Sequence, residues 1–321
     1  MTDKMPEHKP GLLVVGELPD WDMQALHARF TPHLYYAATD KPAMLARVAR
    51  DIVAIATKGE VGADAALMDA LPGLKIIACY GVGIDAIDLP AARARGIPVT
   101  NTPDVLTEEV ADMAIGLMLA AARRIPQGDA WVRTGAWSKR GGFPLTRRVF
   151  GKRLGIVGLG RIGAAIAHRA AAFGMDIAYS ARAPKAGAPY THYATPAAMA
   201  PHLDILMVSA AGGAGTRGLV DAATFAALPT GAMFVNVSRG SVVDEAALLA
   251  ALRDGRIAAA GLDVFLNEPD IDPEFLSFPS VVLQPHAASG TVETRRAMGE
   301  LMRANLEAML DGQPLPTEVR A

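Results

Sequence analysis

Residues 155–163 constrain the fold of this chain more than any other segment. They read Gly-Ile-Val-Gly-Leu-Gly-Arg-Ile-Gly, so a short apolar run leads into Gly158, Gly160 and Gly163. The alanine-rich residues 164–173 continue from it with the spacing of a helix. A strand, a glycine turn and a helix in this order are typical of sheets that bind dinucleotides. Glycine clusters also mark ordinary turns, but these flanks favour the dinucleotide interpretation.

Each glycine of this motif has a separate physical task. Gly158 permits the tight turn, Gly160 lets a pyrophosphate approach the backbone, and Gly163 lets the helix pack on the strand. The helix N-terminus supplies N–H groups and a positive dipole to the phosphates. The predicted cofactor contacts in the turn are Gly158, Leu159, Gly160, Arg161, Ile162 and Gly163.

The rest of the chain alternates short apolar strands with helical segments. With 321 residues, two domains are expected. Residues 1–101 read as one α/β unit, and a second, doubly wound unit surrounds the glycine motif. Between them, Thr107 opens a long apolar helix that should end near Arg124. The sequence therefore predicts an α/β fold with two parallel sheets.

Composition argues against several classes of function. The formal net charge is -2, and no run of five or six like charges occurs, so nucleic acid is a poor candidate for a partner. The sequence shows no apolar signal region and no apolar run long enough to span a membrane. Cys79 is the single cysteine, which suits a reducing cytoplasm. We expect a cytoplasmic protein without nucleic-acid or membrane partners.

The segment after the second strand of the glycine-motif unit indicates which dinucleotide is bound. An acid at this point binds the ribose 2'-hydroxyl of NAD, whereas a basic residue suits the 2'-phosphate of NADP. Residues 179–185 read Tyr-Ser-Ala-Arg-Ala-Pro-Lys and contain no carboxylate. Ser180, Arg182 and Lys185 therefore favour NADP. A solvent-facing loop that also accepts NAD is the alternative.

Three polar segments end predicted strands and should meet at the cofactor crevice. They contribute Arg239, Glu268 and His286. His286 could donate a proton to a carbonyl oxygen while Glu268 keeps the imidazole charged. Arg239 could bind a carboxylate and polarise the carbonyl. Each residue also has an ordinary structural interpretation, as a cap, a loop acid and a turn histidine. No metal-ligand spacing is present.

Two further segments are candidates for binding. Residues 80–85, Tyr-Gly-Val-Gly-Ile-Asp, form a glycine turn after a strand, where the N–H groups of Val82 and Gly83 could bind an anion. A plain turn capped by Asp85 is the alternative. Residues 125–150 have weak periodicity and place Trp137 and other aromatic residues among basic ones, which suggests an arm packed on a second subunit. Packing on its own domain is the alternative.

Taken together, these motifs resemble the D-2-hydroxyacid dehydrogenase family over nearly the whole chain. The resemblance is carried by the glycine motif, by Asn-Val-Ser-Arg-Gly at 236–240, by Ala-Gly-Leu-Asp-Val-Phe at 260–265, by Pro-His at 285–286, by residues 80–85 and by Asn-Thr-Pro-Asp at 101–104. It implies two parallel-sheet domains, Rossmann-like and flavodoxin-like. The substrate domain would comprise residues 1–101 and 291–321, and the cofactor domain residues 102–290 with a dimerisation arm at 125–150.

The same resemblance implies the roles of individual residues. Arg239, Glu268 and His286 would form the catalytic set, and Val82 and Gly83 would lie in the substrate loop. Further expected cofactor contacts are Thr107, Val237 and Asp263. A homodimer is implied, in which Trp137 could shape the pocket of the partner subunit.

Within the family, Arg182 without a preceding acid looks like the NADPH-preferring glyoxylate/hydroxypyruvate and hydroxyphenylpyruvate reductases. The chain departs from many members at residues 209–215, Ser-Ala-Ala-Gly-Gly-Ala-Gly, where they have a proline-containing cofactor loop. We expect NADPH-dependent reduction of glyoxylate, hydroxypyruvate or an aryl pyruvate to the D-2-hydroxy acid. The alternative is a binding protein that senses NAD(P)H, as in corepressors of similar fold.

Overall fold

The computed structural model describes residues 9–319, which divide into two compact units. The discontinuous unit contains the chain up to Leu106 and again from Thr291 onward. The central unit runs from Thr107 to Gly290. Each contains a parallel sheet with helical crossovers, so the predicted α/β fold class with two such sheets is confirmed.

The discontinuous unit is built on a five-stranded parallel sheet in the order β2-β1-β3-β4-β5. Its inner strands are continuous apolar runs because both of their faces are covered. The first part of the unit contains β1 (Gly11–Val14), α1 (Asp20–Leu26), β2 (Thr31–Leu34), α2 (Lys41–Val48), β3 (Ile52–Thr57), α3 (Ala65–Asp69), β4 (Ile76–Cys79), α4 (Leu89–Ala94) and β5 (Val99–Thr100).

Sequence patterning does not predict two of these elements, β2 and α2. The edge strand β2 reads Thr-Pro-His-Leu, and its proline is tolerated because the strand has a neighbour on one side only. The helix α2 begins at a capping residue, Asp40, whose carboxylate accepts a hydrogen bond from Ala43 N at 2.9 Å. None of its residues is fully buried, so it lacks a strong apolar stripe.

The central unit has a seven-stranded parallel sheet in the order β12-β11-β10-β9-β6-β7-β8. Its elements are α5 (Thr107–Arg123), α6 (Ile125–Arg133), α7 (Ala136–Arg140), β6 (Arg153–Val157), α8 (Arg161–Ala171), β7 (Asp176–Ser180), β8 (Thr191–Tyr193), α9 (Pro196–Met199), β9 (Ile205–Val208), α10 (Ala222–Ala227), β10 (Ala232–Asn236), α11 (Glu245–Arg253), β11 (Ile257–Leu262) and β12 (Val281–Leu283).

The order in which the chain adds strands to this parallel sheet reverses at β6. The chain proceeds outward from β6 to β7 and β8, then returns to the other side of β6 and continues from β9 to β12. Parallel sheets of this kind bind ligands beyond the carboxyl ends of the strands at such a reversal. The glycine turn follows β6 and therefore occupies this position.

The arm expected at residues 125–150 contains two helices, α6 and α7, that its weak periodicity does not indicate. Arg124 adopts a left-handed φ of 52° and redirects the chain after α5. Pro126 then lies within the first turn of α6, where its missing N–H costs no helical hydrogen bond. None of the residues of α6 or α7 is fully buried.

The helix α12 (Val292–Leu310) returns the chain to the discontinuous unit. Thr291 caps it by accepting a hydrogen bond from Thr294 N at 3.2 Å. A bridge between Thr100 and Glu318 then joins the chain end to β5. Within residues 9–319, no helix is long and apolar enough to cross a membrane, and no cluster of metal-ligating side chains occurs.

Candidate active site

The turn after β6 is tight at two glycines and open at the third. Gly158 adopts a φ of 91°, and a Cβ there would lie 2.6 Å from the Cα of Ala210. A Cβ on Gly163 would collide with the carbonyl oxygen of Gly158. A Cβ on Gly160 would meet no heavy atom within 4 Å. The turn therefore leaves open space where a pyrophosphate would approach the backbone.

The helix α8 begins at this open glycine. Gly160 is its N-cap, and no side chain caps the first turn. Arg161 and Ile162 follow at the start of the helix, while Leu159 is buried against the unit. An uncapped helix N-terminus beside open space is a site for an anion because N–H groups and the helix dipole meet there. These residues fit the phosphates of a dinucleotide.

The end of β7 carries the residues predicted to select the cofactor. Ser180 is buried, and its carbonyl oxygen accepts a hydrogen bond from Gly158 N at 2.9 Å, so this strand end is attached to the glycine turn. The Tyr179 hydroxyl accepts a hydrogen bond from Lys185 N at 2.8 Å and shapes the loop between them. The side chains of Arg182 and Lys185 are exposed.

His286 and Glu268 form a direct pair. His286 Nδ1 lies 2.6 Å from Glu268 Oε2, and the two side chains are 31% and 27% exposed. The other carboxylate oxygen, Oε1, accepts a hydrogen bond from Phe265 N at 2.7 Å. Because Nδ1 is directed at the carboxylate, Nε2 is the ring nitrogen left to act on a substrate.

The surroundings of Glu268 keep it charged. Burial by itself raises the pKa of this carboxyl, but the hydrogen bonds from His286 and from Phe265 N lower it, as do the charges of His286 and Arg239. The lowering contributions prevail, and the pKa of Glu268 lies below its usual value. A charged Glu268 stabilises the protonated form of the imidazole beside it.

Asp263 builds the turn that presents His286. The Asp263 side chain is fully buried, and its two oxygens accept hydrogen bonds from Ala287 N at 2.8 Å and from Ala288 N at 3.0 Å. His286 N donates to the Asp263 carbonyl oxygen at 2.8 Å, and His286 has a left-handed φ of 52°. Burial raises the pKa of Asp263, and the two N–H donors oppose that rise.

Arg239 follows β10 and is positioned by its neighbours. Asn236 Nδ2 donates to the Arg239 carbonyl oxygen at 3.2 Å, and Arg239 Nη1 donates to Ser238 O at 2.8 Å. A Cβ on Gly240 would collide with the carbonyl group of Phe265, so the segments after β10 and β11 are in direct backbone contact. The adjacent strands β10, β11 and β12 thus bring the predicted catalytic residues to one edge of the sheet.

Comparison with known proteins identifies the family. The family model described as D-isomer specific 2-hydroxyacid dehydrogenase, NAD binding domain, matches residues 115–288, more than half of the chain. This chain belongs to that family. Hydroxyphenylpyruvate reductase of Plectranthus scutellarioides is 44% identical over 96% of this dehydrogenase and 98% of its own length.

Two solved structures are similar over almost their full length. A 2-hydroxyacid dehydrogenase from Ketogulonicigenium vulgare has a TM-score of 0.91 and 51% identity, covering 97% of this chain and 98% of that one. The NADPH-dependent glyoxylate/hydroxypyruvate reductase of Sinorhizobium meliloti, in complex with NADP and malonate, has a TM-score of 0.90 and 44% identity, covering 97% of both chains. The chain is thus a D-2-hydroxyacid dehydrogenase with an NAD-binding domain.

The remaining predicted site residues of the dehydrogenase lie in several places. Thr107 is the first residue of α5, and Val237 follows β10 and is buried. Trp137 lies in α7 and is 62% exposed. Val82 and Gly83 lie in the discontinuous unit, in the loop after β4. Their contacts with cofactor or substrate stay predictions.

Sequence patterning misses a residue that supports the catalytic pair. Glu245, the first residue of α11, accepts a hydrogen bond from Leu266 N at 2.9 Å and so fixes the segment that leads to Glu268. Burial raises the pKa of Glu245, and the charges of Asp272 and Glu268 add to that effect. In the sequence, an acid after Asp244 indicates a helix start, and nothing in that pattern reveals its tertiary partner.

Proposed function

We propose that this dehydrogenase reduces a 2-oxo acid to the D-2-hydroxy acid with NADPH. The observation that carries the proposal is the pair of His286 and Glu268, with the charge of Arg239 acting on the same carboxylate. A proton donor, an acid that keeps it charged and a cation are the groups needed to reduce a carbonyl beside a carboxylate. In balance, a 2-oxo acid, NADPH and one proton yield a 2-hydroxy acid and NADP⁺.

Each side chain has a defined task in this reaction. When bound, the dinucleotide supplies the hydride. His286 Nε2 transfers its proton to the carbonyl oxygen as negative charge develops there, while Glu268 holds Nδ1 and stabilises the imidazolium. Arg239 binds the substrate carboxylate and polarises the carbonyl. The N–H groups of Val82 and Gly83 bind the same carboxylate.

The preference for NADPH rests on the loop after β7. Arg182 and Lys185 are exposed there, Ser180 ends the strand, and no carboxylate occurs between residues 179 and 185 to repel a 2'-phosphate. The guanidinium of Arg182 can bind a phosphate through two parallel hydrogen bonds. The similar S. meliloti reductase, described as NADPH-dependent and bound to NADP, supports the same preference.

Glyoxylate, hydroxypyruvate and aryl pyruvates are the proposed substrates. The names of the similar reductases from P. scutellarioides and S. meliloti support this class. All of these compounds share the 2-oxo carboxylate that Arg239 and His286 would recognise. They differ in the group on the far side of the carbonyl.

We also propose that this dehydrogenase forms a homodimer. Large apolar side chains in and near α6 and α7 are exposed, namely Ile125 (54%), Val132 (57%), Trp137 (62%), Leu145 (100%) and Phe150 (63%). Apolar surface of this extent on one segment favours packing against a second copy. Size-exclusion chromatography with light scattering distinguishes the dimer from a monomer.

The test is a panel of initial rates. Oxidation of NADPH and of NADH is followed separately with glyoxylate, hydroxypyruvate, pyruvate and phenylpyruvate. We expect NADPH to be oxidised faster, and His286→Ala should lower kcat/KM by roughly 10² to 10⁴, the contribution of a positioned proton donor. A loss of only a few-fold would contradict that role. Dinucleotide binding without turnover of any substrate would instead indicate the nucleotide-sensing alternative.

A further inference from the structure

The discontinuous unit contains a buried carboxyl group to which the proposed reaction assigns no task. Asp22, on α1, is only 7% exposed. The helix α12 passes directly over it at Gly299, where a Cβ would collide with the Asp22 carboxylate. Asp22 Oδ2 is buried and has no hydrogen-bond partner. An unsatisfied oxygen of this kind costs free energy, which requires an explanation.

The neighbour of this carboxyl is a buried tyrosine at the end of β4. Tyr80 is 3% exposed, and its hydroxyl donates a hydrogen bond to the carbonyl oxygen of Arg295, on α12, at 2.7 Å. The guanidinium of Arg295 also lies 5.9 Å from the centre of the Tyr80 ring. Arg295 and Gly299 are four residues apart on α12, about one helical turn, so the Tyr80 hydroxyl and the Asp22 carboxyl lie against the same part of this helix. Tyr80 thus connects α1 and α12 to the strand end.

Tyr80 is also the residue from which the proposed substrate loop begins. Val82 O in this loop accepts a hydrogen bond from Asn101 Nδ2 at 2.9 Å, and Gly81 O accepts one from Thr102 N at 2.9 Å. These bonds hold the loop on the side of β5. On the side of α1 and α12, the start of the loop is held by the hydrogen bond from the Tyr80 hydroxyl to Arg295 O.

We propose that Asp22 is a positioning residue for substrate binding, which acts through Tyr80 on the loop that contains Val82 and Gly83. The proposal rests on the function proposed above, in which the N–H groups of these two residues bind the substrate carboxylate. In this role Asp22 does not itself bind substrate or cofactor. It determines which acceptor receives the hydrogen of the Tyr80 hydroxyl.

The Tyr80 hydroxyl has one hydrogen, and it is directed at Arg295 O. Protonated Asp22 can donate to the Tyr80 oxygen and leave that bond intact. Charged Asp22 competes with Arg295 O for the same hydrogen, which weakens the attachment to α12. The protonated form therefore supports the loop, and the charged form loosens it.

The titration of Asp22 lies in a range that enzyme assays can reach. Burial raises its pKa to about 6, against the opposing effects of Tyr80, Arg303 and the Trp21 indole, and with a further rise from Glu300. From α12, Arg303 and Glu300 thus act on the carboxyl with opposite signs.

Further charged groups lie on the elements packed against α1. The guanidinium of Arg296, on α12, lies 5.4 Å from the centre of the Trp21 ring, next to Asp22 in sequence. The strand β2 carries His33, whose pKa is lowered by burial and by Arg47 and raised by Asp51. The charges that act on His33 are those of Asp51 and Arg47.

The test is the pH dependence of the KM for glyoxylate or hydroxypyruvate between pH 5 and 7.5. KM is measured at saturating NADPH for the wild type, Asp22→Asn, Tyr80→Phe and the control Asp20→Asn, whose exposed side chain lies on the same helix. The ratio of variant to wild-type KM is determined at each pH. This ratio cancels any pH dependence that all four proteins share.

The KM ratios of Asp22→Asn and Tyr80→Phe should deviate from one in opposite directions. The amide introduced by Asp22→Asn can donate permanently to Tyr80, so the ratio for this variant should be close to one at pH 5 and fall about fivefold by pH 7.5, the equivalent of one neutral hydrogen bond. Tyr80→Phe lacks the hydroxyl, so its ratio should be about fivefold at pH 5 and approach one at pH 7.5. The values of kcat, the KM for NADPH and the Asp20→Asn ratio should change by less than about twofold.

Several outcomes would overturn the positioning role. They are an Asp22→Asn ratio that does not vary with pH, an equal effect on the KM for NADPH, or a change in kcat alone. A wild-type protein that turns over none of the 2-oxo acids would overturn the proposed function, and the role of Asp22 with it. If the wild type turns over a 2-oxo acid and the KM ratios do not vary with pH, the proposed role of Asp22 is refuted and the proposed function is not.

Discussion

Replacing Asp22 by Asn should remove a pH dependence from the stability of the protein. Burial raises the pKa of Asp22 to about 6, against 3.8 for an unburied aspartate. Because this acid binds its proton more tightly in the folded state, it stabilises the fold most below pH 3.8, and that contribution is lost as the pH rises through 6. The difference of about 2.2 pH units corresponds to about 3 kcal/mol above pH 7, at 1.36 kcal/mol per unit.

About 1 kcal/mol of this loss falls between pH 5 and pH 7, a range in which urea unfolding can be followed by circular dichroism. The informative quantity is the free energy of unfolding of the wild type minus that of Asp22→Asn. The contributions of all other titrating groups are shared by the two proteins and cancel in this difference. This difference should decrease by about 1 kcal/mol from pH 5 to pH 7. The exposed control Asp20→Asn should show no such trend. Parallel curves for the wild type and Asp22→Asn would refute the reasoning, whether or not the enzyme is active.

Three further substitutions test the central unit. Glu268→Gln removes the charge beside His286 Nδ1 and should lower kcat/KM roughly 10- to 150-fold in initial-rate assays, the range of one hydrogen bond to a charged group. A KM change without a loss of kcat would contradict this. Arg182→Ala should raise the KM for NADPH by roughly 10- to 100-fold and leave that for NADH within about twofold; equal effects on both would show that Arg182 does not recognise the 2'-phosphate. Asp263→Asn leaves a buried N–H of the His286 turn without an acceptor and should cost about 1 to 3 kcal/mol in urea unfolding. If Asp263→Asn is as stable and as active as the wild type, the structural role of Asp263 is ruled out.

Periodicity and glycine spacing predict the parts of the fold that local chemistry determines. The strand β12 and the helix α12 begin and end where the apolar patterns do, and the glycine turn lies after β6. The edge strand β2 and the arm helices α6 and α7 escape such prediction. None of the arm helix residues is fully buried, so no clear apolar stripe marks them.

In the candidate site, too, some residues can be predicted from the sequence and others cannot. His286 and Glu268 can be proposed from strand ends, because parallel strands bring their carboxyl ends to one edge. The tasks of Glu245, Asp263 and Asp22 depend on partners from distant segments, such as Leu266 N for Glu245 and Gly299 for Asp22. Residue type alone marks an acid as a cap or a surface charge, and only packing reveals its acceptor role.

The strand order of the central sheet separates two properties that could be engineered independently. The residues proposed to recognise the 2'-phosphate follow β7, and Arg239 follows β10, with β6 and β9 between them. At about 4.8 Å per strand, roughly 14 Å lies between these two strand ends. Substitutions at that distance, without shared partners, have nearly additive effects. A laboratory could therefore exchange the coenzyme dependence of this catalyst, from the phosphorylated to the unphosphorylated nucleotide, in the loop after β7 while leaving its proton-transfer apparatus unaltered.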